Sequence, residues 1–320
     1  MNTSDLRLTG ALSTIRTTVF GRSKMRQREA IEGLLFTLPW LLGMLVFFAV
    51  PVIASFLLSF AKYDIVRAPE FVGLSNYKTA FMNDKLFWPS LHRTFYYAVI
   101  SVPVGLAGSL AAALLLNQGL HGTTFFRTFF FLPSLTPSMA AAFIWRWLLN
   151  PEVGLVNHLL WQVGIQGPRW MGSTTWVIPS LILVSLWQSI GGTRMLIFLA
   201  GLQGVPEELY DAAEVDGANS WHKFRHVTLP MISPTFFFNL VLGIIGALQV
   251  FTLAYTATDG GPGRASWFFA LHIYRNAFEL FYMGYASSLA WLFLFLILAL
   301  TLVNFQLSGR WVYYEGEVKS

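Results

Sequence analysis

Six long apolar runs constrain this chain more than any other feature. They fall at 33–60, 94–117, 126–149, 175–200, 234–257 and 283–307, and each is long enough to cross the roughly 30 Å hydrocarbon layer of a bilayer as a helix. With 55% hydrophobic, 16% aromatic and 12% charged residues, the chain is too apolar for a soluble domain. It reads as an all-α polytopic membrane protein with six transmembrane helices, because a lipid-exposed backbone must satisfy its own hydrogen bonds. A cleaved signal peptide fits poorly, since the run 33–60 is far longer than a signal core. Prolines at 39, 51, 103, 133, 137 and 179 predict kinks, which a bundle tolerates when neighbouring groups re-satisfy the backbone.

Several function classes fall away at once. The pI near 9.5 invites a nucleic-acid partner, but the net charge is only +5 and the bases are scattered around the apolar runs, so no nucleic acid is expected. There is no cysteine, and hence no thiol or disulfide chemistry. No Gly-x4-Gly-Lys-Ser/Thr loop occurs, so the chain should not bind ATP itself. His222 and His226 are four apart, yet nothing beside them completes a metal-ligand set, and no nucleophile–base grouping appears. Neither a catalytic nor a metal site is predicted. None of the six runs contains Asp or Glu, which argues against proton- or sodium-coupled carriage, where carboxylates at membrane depth bind or relay the ion.

Between the fourth and fifth runs lies a polar island, Val205 to Pro234. Five of the chain's sixteen acids fall between Glu207 and Asp216. Pro206 suits a first helical position, and Glu207, Glu208 and Asp211 complement the dipole of the helix that follows. Gly217 reads as the left-handed residue ending that helix. Asn219 or Ser220 would cap a second short helix, which Pro230 would stop. Leu209, Ala212, Ala213 and Asp216 share one face of the first helix, and Trp221, Phe224 and Thr228 align on the second. A passive solvated loop needs none of this order. A surface that docks on a soluble partner does.

The spacing carries a resemblance. Asp211-Ala212-Ala213, three residues, Gly217, nine residues, then Val227, Leu229 and Pro230 resembles the EAA loop of the membrane subunits of binding-protein-dependent ABC importers, with Asp for the usual Glu and Val for the usual Ile. Phe198-Leu199-Ala200-Gly201-Leu202, Gly260-Gly261-Pro262 and Trp311-Val312-Tyr313-Tyr314-Glu315-Gly316 are similar to the oligosaccharide (maltose-type) branch. The resemblance runs from about Leu34 to the C-terminus.

It implies the ABC importer permease bundle and a sugar or oligosaccharide as cargo. It also implies two cytosolic ATPase subunits that hold the ATP and Mg, a second related permease subunit and an extracytoplasmic solute-binding protein. This chain would bind no cofactor. ATPase coupling would rest on Glu207, Glu208, Asp211, Ala212, Ala213, Gly217, Trp221, Phe224, Leu229 and Pro230. An ABC permease for another solute, such as a glycerol phosphodiester or an amino acid, is the alternative; a stand-alone secondary carrier is a weaker one.

The flanking spans supply candidates for the substrate path. Asn239, Gly243, Gly246 and Gln249 lie on one helical face of the fifth run, and the fourth carries Gln188, Ser189, Thr193 and Arg194. Amides can exchange for the hydration of sugar hydroxyls, and glycines leave room; the same small residues also serve helix–helix contacts. A charge at the depth of Arg194 costs about 2.5–3.5 kcal/mol on insertion scales, so it faces a partner, a polar cavity or, by snorkelling, the interface.

Residues 1–32 form a basic N-terminal tail that could lie in the interface as a helix or fray, and 308–320 form a C-terminal tail. With both termini inside, the cytoplasmic segments hold ten Lys/Arg and the outer ones eight. That margin is thin by itself, but it agrees with a docking loop facing the cytosol.

Overall fold

The computed structural model describes residues 24–119 and 121–313; residues 1–23 of the predicted N-terminal tail and 314–320 of the C-terminal tail lie outside them. Two compact units divide at residue 58. The first is one apolar helix in two parts, α1 (Lys24–Met44) and α2 (Val50–Leu58), joined through a π-helical turn at Leu45–Ala49. Pro39 sits within α1 without breaking it. The wider turn ahead of Pro51 suits a residue that can donate no backbone hydrogen bond. Arg28–Leu58 is long and apolar enough to cross a bilayer.

The second unit opens with a small hairpin, β1 (Ala61–Lys62) antiparallel to β2 (Glu70–Phe71), in the register Ala61↔Phe71 and Lys62↔Glu70. Next come α3 (Ser75–Met82) and α4 (Phe87–Leu116). At 30 residues, α4 is roughly 45 Å long, and every buried cluster of the unit draws on it. Near its start Phe87 and Ala98 pack with Phe269, Leu289 and Phe293. Near its end Leu110, Ala113 and Leu116 pack with Phe198, Leu202 and Ile232. Pro103 leaves it unbroken.

Three later apolar runs break instead of crossing as single helices. The third becomes α5 (Thr123–Phe131), a 3₁₀ turn at Leu132–Leu135 and α6 (Ser138–Leu148), bent by 95°. Pro133 enters the 3₁₀ turn, and Pro137 with φ −54° and ψ 136° precedes α6. Proline forces its predecessor out of the helical region, and Thr136 is extended accordingly. A short α7 (Leu155–Gln162) follows. The fourth run becomes α8 (Val177–Ser189) and α9 (Thr193–Gln203), bent by 48° about Gly191-Gly192. Close packing requires the first of these glycines: a Cβ on Gly191 would lie 1.9 Å from the Phe130 carbonyl oxygen.

The polar island forms α10 (Glu207–Val215), α11 (Ser220–Lys223), a π turn at Phe224–Thr228 and α12 (Leu229–Met231). Pro230 does not stop this stretch as predicted. The π turn ahead of it uses Leu229 N–H on the Phe224 carbonyl, the helix reaches Met231, and a 68° bend follows before α13 (Ser233–Leu248).

The fifth run also departs from expectation. Its apolar length predicts one helix over 234–257, but α13 ends at Leu248 and α14 (Thr252–Thr258) begins after a non-helical link at Gln249–Phe251. No glycine or proline marks this break; Leu248 and Val250 are both buried around it. The chain closes with α15 (Phe269–Tyr274), a π turn at Arg275–Glu279 and α16 (Met283–Ser308). After α16 the chain turns back on α13: Tyr313 N–H donates to Ser233 Oγ at 2.8 Å, and the Trp311 ring meets Phe236 and Phe237 edge-on.

Three helices (Arg28–Leu58, α4 and α16) and three bent pairs have the length and composition of spans, six in all if each pair counts once. The fold is thus all-α and polytopic, with the short hairpin as the exception among the described residues.

Candidate functional site

The three helix breaks inside the second unit meet at one cavity of about 440 Å³. The α5/α6 break contributes Ser134, Thr136 and Ser138; the α8/α9 break contributes Gln188, Ser189 and Arg194; the α13/α14 break contributes Gln249 to Thr252. Tyr97, Ser101 and Val102 of α4 line it as well. A broken helix leaves backbone groups without intrahelical partners, and at membrane depth such backbone is tolerated where protein covers it or water reaches it. Side chains cover part of it here. Gln188 Nε2 donates to the Thr136 carbonyl at 2.9 Å, and Ser109 Oγ of α4 donates to the Ser189 carbonyl at 3.4 Å. The wall is otherwise rich in hydroxyls and amides, with no carboxylate among the lining residues.

Arg194, in the first turn of α9, reaches between α4 and α13. A Cβ on Gly105 would lie 2.6 Å from its Nη1, and one on Gly243 would lie 3.3 Å from its Nη2. Two helices therefore withhold side chains where the guanidinium passes. Among the described residues no hydrogen bond or ion pair engages it, and it faces the cavity instead of snorkelling to an interface.

Of the eight residues predicted for the substrate path, six line this cavity: Gln188, Ser189, Arg194, Gly243, Gly246 and Gln249. Two do not. Thr193 is exposed outside it, because consecutive residues of a helix point about 100° apart and Arg194 takes the cavity-facing direction. Asn239 is buried one turn below and donates to the Thr235 carbonyl of its own helix at 3.2 Å. Ser101, Ser134, Thr136, Ser138 and Ser185 were missed. The signal for three of them is Leu-Pro-Ser-Leu-Thr-Pro-Ser at 132–138, where two prolines that predict kinks also bracket a cluster of hydroxyls.

The second site is the polar island. Pro206 is the residue before α10 rather than its first, and Glu207 and Glu208 occupy the first turn. Gly217 adopts φ +76°; its N–H donates to the Glu214 carbonyl and that of Ala218 to the Ala213 carbonyl, both at 2.9 Å. This is the paired pattern of a left-handed helix end. Of the two proposed caps, Asn219 serves: its Oδ1 accepts the His222 N–H at 2.9 Å.

The two short helices are locked together. Tyr210 and Thr228 hydroxyls lie 3.0 Å apart, and Lys223 Nζ donates to Glu214 Oε2 at 2.5 Å, which holds the Glu214 carboxyl below its usual range. Glu207, Glu208, Asp211, Ala212, Gly217 and Trp221 are exposed, while Ala213, Phe224, Leu229 and Pro230 are half-buried. Trp221 stands 63% exposed with its ring 5.6 Å from that of Phe224. The two short helices form a cross-linked hairpin that leaves Trp221 and Ala212 exposed. His222 and His226 stack at 5.9 Å, and no group of three metal-ligating side chains occurs among the described residues.

The two sites share their helices. α9 runs from Arg194 at the cavity to Gln203, two residues short of Val205 where the polar island begins, and α13 runs from Ser233 at the hairpin to Leu248, beside Gln249 at the cavity.

Comparison with known proteins gives this arrangement a family. Residues 104–310 match the family described as binding-protein-dependent transport system inner membrane component. The chain is 40% identical over 300 residues to a probable ABC transporter permease protein, YesP, of Bacillus subtilis, covering 92% of this chain and 96% of that one. It is 34% identical over 288 residues to the arabinooligosaccharides transport system permease AraP of Bacillus subtilis (88% and 89% covered). Over 283 residues it is 34% identical to the trehalose/maltose transport system permease MalF of Thermococcus litoralis (88% and 95% covered). Its fold is similar to a chain of a bacterial ABC transporter that imports the polysaccharide alginate, with a TM-score of 0.78 at 22% identity over 90% of this chain and 99% of that one. The chain belongs to the inner-membrane components of binding-protein-dependent ABC transport systems, and is a multi-pass membrane permease of that family.

Proposed function

We propose that this chain is the permease subunit of an ATP-driven importer for a sugar or oligosaccharide. Relatives whose names specify a cargo, arabinooligosaccharides and trehalose/maltose, support that cargo class. An alginate importer of the same fold is known in complex with a pentasaccharide-bound periplasmic protein, which supports a solute-binding protein as the delivering partner. The family and the exposed hairpin support two cytosolic ATPase subunits and a second, related permease subunit. ATP and Mg belong to the ATPases, and this chain holds no nucleotide site of its own. Glu207, Glu208, Asp211, Ala212, Ala213, Gly217, Trp221, Phe224, Leu229 and Pro230 form the coupling surface, which places the loop and both termini in the cytosol. The six cavity-lining residues among the predicted path positions contact the cargo.

The observation that carries the reading is the direct helical link between the two sites. α9 and α13, 11 and 16 residues long, correspond to about 16 Å and about 24 Å of rigid helix. When the ATPases close on ATP, a hairpin seated in them moves as a body, and these helices carry the motion to the cavity wall. Nucleotide binding then biases an inward-to-outward equilibrium by its differential affinity for the two states.

The test is cysteine crosslinking from Ala212 and Trp221 in the assembled importer, together with ATP-dependent sugar uptake in proteoliposomes. A nucleotide-hydrolysing subunit captured at both positions, with uptake that needs ATP, supports the reading. Labelling of those positions from the outer face, or sugar uptake by this chain without any ATPase, overturns it.

A further inference from the structure

We infer that the cargo passing this subunit carries an anionic group, an acidic oligosaccharide such as a uronate-containing one, and that Arg194 is the residue that selects it. The inference rests on the sugar-importer reading above and narrows it. A neutral sugar path needs amides, hydroxyls and room, and the cavity wall supplies all three from Ser101, Ser134, Gln188 and Gln249. It has no need of a guanidinium. Yet the one charged side chain on this wall is an arginine, and none of the apolar runs around it holds an Asp or Glu to neutralise it.

The protein also makes space for this charge. Gly105 on α4 and Gly243 on α13 flank the guanidinium from opposite helices, with would-be Cβ positions 2.6 Å from Nη1 and 3.3 Å from Nη2. An arginine tolerated only for its stem would have its head at an interface or on a carboxylate. This head is held inside the cavity with its donors free. One turn before Gly105, on the same face of α4, the buried Ser101 Oγ also has no partner, so a neutral hydroxyl donor stands beside the charge.

A planar fork of N–H donors matches a carboxylate or phosphate in two-point geometry and meets its charge, whereas the hydroxyls of a neutral sugar can accept from the same donors but leave the charge uncompensated. An anionic cargo therefore gains at this point what a neutral one does not. A single charge, without an opposing set, also lets the cargo leave.

The test uses the complete importer, with its sister permease, ATPases and solute-binding protein, reconstituted in proteoliposomes. Three probes are offered: a digest of polygalacturonate, a digest of starch, and glucose 6-phosphate, with internal sugar read by mass spectrometry. The expected result is ATP-dependent uptake of the polygalacturonate digest over the starch digest. R194Q should lower that uptake about ten- to a hundred-fold, the loss of one charge-assisted hydrogen-bonded pair, and R194K should restore part of it.

Uptake of glucose 6-phosphate that depends on Arg194 in the same way would sustain the anionic cargo and assign the oxyanion to phosphate. ATP-dependent uptake of the starch digest in preference to the polygalacturonate digest, or uptake of the polygalacturonate digest at the wild-type rate by R194Q, would overturn the inference while leaving the importer reading intact. Failure of an assembled, ATP-hydrolysing complex to take up either anionic probe would overturn the inference, whereas in this assay the importer reading falls only to sugar uptake that needs no ATPase. If R194Q does not assemble, G105A, which keeps the charge and displaces it, replaces it, and unchanged uptake of the polygalacturonate digest by G105A overturns the inference.

Discussion

His272 Nε2 and a carboxylate oxygen of Asp84 lie 2.6 Å apart although 188 residues separate them. Asp84 precedes α4, His272 belongs to α15, and the same carboxylate oxygen accepts the Tyr285 hydroxyl of α16 at 2.5 Å. Its other oxygen accepts the Leu86 N–H at 2.7 Å. Three helices are thus tied through one acid at the end of α4 remote from the coupling hairpin, beside a cavity of about 670 Å³. His272 is only 3% exposed, so removing Asp84 leaves its buried Nε2 without an acceptor, while Nδ1 keeps the Trp267 Nε1–H at 3.2 Å.

Asp84→Ala is expected to cost about 1–3 kcal/mol, the penalty of leaving such a buried group unsatisfied. The pH dependence of the wild type follows from the same bonds. Burial by itself would raise the Asp84 pKa, but the hydrogen bonds from His272, Tyr285 and the Leu86 N–H outweigh it and hold the carboxyl at about 2, below its ordinary 3.8. The ionised form is therefore favoured by folding: its stabilisation is full above an unfolded pKa near 4 and is lost as pH falls towards about 2. Thermal unfolding of the detergent-solubilised protein from about pH 6 to about pH 3 should show a steeper loss in the wild type than in Asp84→Asn. Equal slopes would remove Asp84 from this role.

Gly217→Ile should abolish ATP-dependent uptake while the chain still inserts. No atom lies within 4 Å of the position a Cβ would take, so crowding is not the cause; a β-branched residue at φ +76° is. The left-handed region costs an L-residue roughly 1–2 kcal/mol and more if branched, enough to reopen the helix end and misaim α11. Uptake in the variant together with crosslinking from Trp221 tests this, and normal values for both would count against the hairpin as the coupling element.

Gly105→Ala should separate stability from transport. The added methyl meets the free end of a flexible side chain, Arg194 Nη1, which can move into the cavity at little cost. The unfolding midpoint should stay near wild type while uptake falls several-fold. A large loss of stability would mean that the guanidinium is held where it lies.

Gly191→Ala is the contrasting case. Its methyl meets backbone, the Phe130 carbonyl oxygen at 1.9 Å, which cannot step aside without shifting α5. A cost of about 1–3 kcal/mol or more is expected, as for other overpacked sites, and poor assembly with the sister subunit should accompany it. Wild-type thermal stability would show that the α8/α9 break has slack.

Gln188→Ala and Gln249→Ala should both weaken uptake, for different reasons. Gln249 offers its amide only to the cavity, whereas Gln188 also satisfies the Thr136 carbonyl. The Gln188 variant should therefore lose stability by about 0.5–1.5 kcal/mol as well, and the Gln249 variant should not. Unchanged uptake kinetics in both would remove these residues from the path.

Much of this protein was legible in one dimension because the bilayer and the helix each impose a simple period. Run length pointed to six apolar segments, and the structure has up to six candidate spans by length and composition. The Gly217 and Asn219 turn chemistry depends on residues two to four positions away, so the hairpin could be read locally. The i, i+3, i+4 rule likewise grouped Gly243, Gly246 and Gln249 on one face. Local rules failed where a neighbour decides the conformation: at Pro230, where a π turn lets the helix continue, and at Gln249–Phe251, where burial of Leu248 and Val250 accompanies a break with no glycine or proline to announce it.

The amino-acid order by itself determined an all-α membrane protein, a capped polar hairpin between its fourth and fifth apolar runs, and a family, since each depends on composition or on short-range spacing. Only the tertiary structure decided that three helices interrupt themselves around one cavity, that Thr193 and Asn239 stand outside it, and that Arg194 points into it through a slot left by Gly105 and Gly243. Those facts depend on which helices lie side by side. Packing between residues far apart in the chain sets that, and no local period encodes it.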